Sequence, residues 1–142
     1  MGNSKAIGVA YSDQNIVDAD IVSATNVVAT EQIGYAAGNY TNVTQQTVKT
    51  TAVTSNTPSG SITTSNSQLA PSAQAVFTVN CSAVSAKDTV IASVASGGTL
   101  GAYNVFIAAI TDGQFTVVIK NSTNNAYSEA VTINYAILHT LG

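Results

Sequence analysis

A chain of 142 residues, 45% apolar and 8% charged, can bury a sizeable core in a single domain, which excludes a disordered tail or a collagen-like or linker architecture. Val, Ile and Thr supply 47 residues against 4 Leu, and stiff β-branched side chains suit a pleated strand, so an all-β fold is expected. Four Lys, no Arg and a net charge of −3 leave no basic footprint for neutralising phosphates, which argues against nucleic-acid binding.

At the N-terminus the apolar stretch Ala6 to Ala10 is broken by Gly8 and followed by Ser12, Asp13 and Gln14, too short for the core of a signal peptide. No run approaches the roughly 18 apolar residues of a membrane span, and Ala6 stands where myristoylation requires Ser or Thr. A chain made in the host cytoplasm without a leader, yet covered in neutral Ser, Thr and Asn, fits a virion component released by lysis. Residues 1–42 alternate only weakly and carry Asp13, Asp18 and Asp20; they are expected to form an arm or added strands.

From residue 43 to the C-terminus the pattern sharpens into about seven strands. Val43 to Thr54 reads as one long strand closed by Pro58 and Gly60, and a short strand surrounds Ile62. Phe77, Val79 and Cys81 share one face of the next strand and Val76, Thr78 and Asn80 the other, the period of a half-buried strand. Asp88 to Ser96 repeats the type. Tyr103 to Asn121 is a hairpin turned at Asp112-Gly113, a dipeptide that accepts positive φ. Its first strand is apolar on both faces from Val105 to Ile110, which predicts a central position or a subunit contact. Finally, Val131, Ile133, Tyr135 and Ile137 alternate with Thr132, Asn134, Ala136 and Leu138. Two antiparallel sheets packed as a jelly-roll-like sandwich account for this order.

Groups able to do chemistry are sparse. His139 and Cys81 are each the only residue of their type, which cannot build a closed zinc sphere. A Cys-His or Ser-His-Asp site would require His139 in a pocket beside a nucleophile. Asp13, Asp18 and Asp20 lack the spacing of a calcium loop and read as solvated carboxylates. Neither an enzyme nor a cofactor is expected. The six Tyr could stack on sugars, most plausibly with Asn on loops such as Asn121 to Ser128, but Tyr in strands more often packs the sheet.

The strings VTQQTVKTTAVTSNTPSGSITTS and FTVNCSAVSAKDTVIASVASG resemble a β-rich module of tailed-bacteriophage structural proteins, over about Val43 to Leu138. Ser55 and Thr57 depart from it, where the module carries Leu and Lys. SKAIGVAYSDQNI is similar to the start of short phage head proteins. The resemblance implies a place on a virion, and a chain of this length favours a capsid decoration, or cement, protein over a tail-fibre or receptor-binding module. It further implies a homo-oligomer, a trimer in many such proteins, that clamps neighbouring copies of the major capsid protein. On that reading Val105, Ile107, Ile110, Ile133, Tyr135 and Ile137 are candidates for the subunit interface, and Ile7, Val9, Tyr11 and Ile16 for contact with the capsid.

Overall fold

The computed structural model describes residues 32–140. The compact unit that holds the sandwich begins at Gly34. A 3-10 turn at Ala37–Asn39 leads into eight strands: β1 (Tyr40–Thr44), β2 (Val53–Thr54), β3 (Ser59–Thr63), β4 (Gln74–Asn80), β5 (Thr89–Gly97), β6 (Tyr103–Thr111), β7 (Gln114–Asn121) and β8 (Val131–Leu138). They form two four-stranded sheets, ordered β1-β3-β8-β5 and β2-β4-β7-β6. The chain is an all-β sandwich.

Two of its pairings, β1 with β3 and β2 with β4, are parallel, so the sheets are mixed where antiparallel ones were expected. Chain direction explains this. The first four strands alternate between the sheets, each crossing reverses the chain, and strands two crossings apart therefore run the same way. Among the described residues only β6 and β7 are consecutive strands paired in one sheet, at the two-residue Asp112-Gly113 turn, where Gly113 supplies the positive φ of 79°.

The expected long strand Val43 to Thr54 is instead two strands in different sheets. The segment between them turns with Gln45 and Lys49 buried: Gln45 Nε2 bonds locally, donating to the Lys49 and Thr51 carbonyls at 3.1 and 2.7 Å, while the Lys49 ammonium bonds to distant loops. Thr-rich alternation hid a sheet crossing. Gly60, read as a turn residue, lies inside β3, where an added Cβ would sit 2.4 Å from the Thr41 carbonyl and 2.9 Å from the Tyr135 ring.

The core is built from alternating faces, those of β4 and β8 among them being the ones that the sequence pattern identified. Phe77 and Val79 of β4, Phe115, Val117 and Ile119 of β7, and Val131, Ile133 and Ile137 of β8 are each at most 2% exposed. Tyr135 lies among them, its ring centroid 5.3 Å from that of Phe115. Its hydroxyl is paired with Ser55 Oγ at 2.7 Å and donates to the Thr57 carbonyl at 3.0 Å, which holds the buried phenol in place.

We expect Gly60→Ala to lower the free energy of unfolding by about 3 kcal/mol, because the obstructing carbonyl is backbone and cannot swing away. Urea unfolding measures it; an unchanged midpoint would contradict the close approach.

Candidate functional site

All four loops at one end of the sandwich are stitched by polar side chains. Lys49, 2% exposed, has its ammonium group on the carbonyls of Ser65 (2.6 Å), Ser67 (2.5 Å) and Glu129 (2.9 Å). Burial pushes its pKa down, and the Glu129 charge opposes that shift. The Glu129 carboxylate accepts from the Thr99 amide at 2.5 Å and the Tyr103 hydroxyl at 3.0 Å, the amide being the main reason its own pKa is lowered. Asn121, fully buried, donates its amide to the carbonyls of Leu69, Ala70 and Asn125 and accepts from Thr123. The loop after Asn121, a sugar-binding candidate, thus begins with an inward-facing amide, and its Tyr127 packs 6.1 Å from Tyr103.

At the other end, Asp88 is the hub. Its carboxylate accepts from the Ser85 amide at 2.9 Å, the Thr140 amide at 3.0 Å and His139 Nδ1 at 3.0 Å. The two amides are the larger causes that hold its pKa down at about 2. Tyr35 meets the His139 ring edge-on at 6.2 Å and donates its hydroxyl to the Ile137 carbonyl, so the clasp ties both the entry and the exit of the chain to the β4–β5 loop.

An Asp-His pair is two thirds of a hydrolytic triad, but among the described residues no hydroxyl or thiol bonds to the histidine. Cys81 is 1% exposed, its thiol is directed to the Thr57 carbonyl at 3.6 Å, and burial raises its pKa, which disfavours the thiolate. Nor do three His, Cys, Asp or Glu side chains converge on a metal position among the described residues. Asp13, Asp18, Asp20, Ile7, Val9, Tyr11 and Ile16 lie outside the described residues.

What the described surface offers instead is an open, uncharged sheet edge. β6 lies at the margin of its sheet, which excludes the central position that its doubly apolar pattern offered beside a subunit contact, and β5 lies at the matching margin of the other. Their nine-residue stretches contain no Lys, Asp, Glu or Pro. Ile91 and Val94 of β5 and Phe106 of β6 are exposed, at 60%, 39% and 46%. Phe106 also ends a cross-strand row with Val118 and Val76 on the outer face. The six interface candidates divide accordingly: Val105, Ile107 and Ile110 are half-buried on this edge, whereas Ile133, Tyr135 and Ile137 are core and leave no surface for a partner. Phe106 and Ile91 were missed because only their position on an edge strand exposes them.

Charge is distributed unevenly along the chain. Lys49, Lys87, Asp88, Asp112, Lys120 and Glu129 cancel, so the net −3 comes from Lys5, Asp13, Asp18, Asp20 and Glu31. Since Lys49, Asp88 and Glu129 are tied into the loop contacts above and Asp112 Oδ1 accepts from the Ala86 amide at 2.8 Å, Lys87 and Lys120 are the remaining charged side chains of the sandwich. Comparison with protein-family models, curated proteins and solved structures finds no match to this chain.

Two outcomes follow. Lys49→Met, which keeps the stem but strands three carbonyls, should cost at least about 3 kcal/mol in chemical unfolding; a loss below about 1 kcal/mol would contradict the pinning role. A carboxylate held below its unfolded pKa adds stability that is present above the unfolded value and lost as pH falls. Stability should therefore decline from about pH 4 towards pH 2 as Asp88 protonates, and Asp88→Asn should flatten that slope; an equal slope in both proteins would contradict it.

Proposed function

We propose that this chain is a decoration protein of a tailed-phage capsid, seated on the outer surface of the assembled head, where it clamps neighbouring major capsid subunits. The observation that carries the reading is the separation of charge from body. A sandwich of zero net charge, with its buried polar groups tied into its own loops, joins an N-terminal segment that holds all of the chain's net charge and the apolar residues Ile7, Val9, Tyr11 and Ile16. Such a body works by adhesion and needs no catalytic group. The segment supplies the capsid contact, by laying an extended stretch against a sheet edge or groove of the shell. Binding the assembled lattice and not the free subunit stabilises the shell by mass action. The likeness of Val43 to Leu138 to the phage module supports the same placement.

A second reading, a sugar- or receptor-binding module of a tail fibre, is favoured by one feature. Asn42, Ser61, Asn134 and Ser93 form a continuous uncharged polar row across the outer face of the β1-β3-β8-β5 sheet.

Co-sedimentation with virions and with purified heads assembled from the same genome separates the two. The decoration reading expects the chain to pellet with tailless heads, and deletion of residues 2–31 to weaken this at least about tenfold. Binding to tails alone would favour the second reading, and undiminished binding by the truncated chain would remove the N-terminal segment from the contact.

A further inference from the structure

We propose that the sheet edge at β6 is the contact between two copies of this chain, joined antiparallel about a twofold axis so that β2-β4-β7-β6 continues into its partner. The inference is independent of the capsid reading and differs from the trimer that the phage resemblance implies. An edge that pairs with itself closes at two copies, whereas a trimer needs two different patches on each subunit.

Every strand at a sheet margin exposes backbone donors and acceptors, and natural sheets blunt such edges with charge, proline, brevity or bulges. The margins of this sandwich are treated differently. At one end, β1 and β2 are only five and two residues long. At the other, β5 and β6 are each nine residues long and free of charge and proline. The outward backbone groups of β6 have no hydrogen-bond partner among the described residues. A bulge between Ile107 and Ala109 interrupts β6 but leaves the unbroken run Tyr103 to Ile107, the length of an ordinary strand pairing.

Three physical arguments select a second copy as the occupant. First, electrostatics: the described sandwich carries no net charge and β5 and β6 themselves no charged side chain, so no net repulsion opposes the approach of two copies there. Second, area: nine residues span about 30 Å, and two sheets about 10 Å apart with their side chains make the end about 20 Å deep, on the order of 600 Å² per copy. Twice that reaches the lower end of the range of stable interfaces, roughly 1,200 Å² in total. Third, continuity: the apolar row Val76–Val118–Phe106 stops at β6, and a paired copy extends it and covers Phe106. Val94, on the inward face of the adjoining β5 edge opposite Ile133, is then covered as well.

Sedimentation velocity on the full chain is the test. We expect a dimer at about 100 µM that dissociates on dilution into the low micromolar range. Phe106→Lys and Phe106→Glu, at an exposed position, should each remain folded by circular dichroism yet sediment as monomers, and mixing the two should restore the dimer. A wild-type monomer at about 100 µM would overturn the proposal. So would a dimer that survives both charged variants, which would place the contact elsewhere, or a dimer seen only after deletion of residues 2–31, which would show the chain's own N-terminal segment covering the edge. Capsid binding by a monomeric chain would leave the decoration reading standing; a dimer that ignores capsids would leave this one.

Discussion

One buried ammonium group, answered by backbone carbonyls and not by a carboxylate hydrogen bond, is the interaction on which the sandwich depends. Lys49 reaches from the loop where the chain first crosses between sheets to Ser65 and Ser67 in the third crossing and to Glu129 before β8. Desolvating a cation is expensive, and the expense is met only if every donor is satisfied. Three short bonds satisfy all three donors. The result is a contact that is wrong in any other register, so the position of β1 and β2 relative to β3, β4 and β8 is set by a point and not only by a pattern of apolar faces.

The same economy runs through the molecule. With 8% of residues charged, the chain has few ions to use, and four of the six charged side chains between residues 32 and 142 are held in loop contacts. Asn121 and Gln45 act in the same way, as buried amides that complete turns. Both ends of the sandwich are therefore stiffened by hydrogen bonds, and the surface left over is hydroxyl, amide and aliphatic. A body of this kind suits adhesion to a large particle.

Much of the fold was legible in the sequence because period-2 alternation reports directly on burial. The inward faces of β4 and β8, the hairpin at Asp112-Gly113 and the sandwich class follow from apolar spacing and turn chemistry. Two things were not legible. A sheet crossing looks like a continuous strand when the linking residues are Thr and Gln, since the cause of the break, burial of Lys49, lies in tertiary contacts. An edge strand with two apolar faces looks like a central one, since alternation is blind to whether neighbours lie on one side or two. The first merged β1 with β2, and the second left β6 open between the middle of its sheet and a subunit contact. The site suffered in the same way: Val105, Ile107 and Ile110 were found on the open edge, but Ile133, Tyr135 and Ile137 are apolar because they are core, and no residue pattern separates a core row from an interface row.

The central claim is that a neutral, internally tied sandwich works by adhering to a larger particle and not by turning over a substrate. Comparing cryo-electron microscopy reconstructions of heads made with and without the gene for this chain tests that most directly. The account predicts sandwich-sized density on the outer surface of the shell that vanishes when the gene is removed. Identical shells in the two preparations would contradict it.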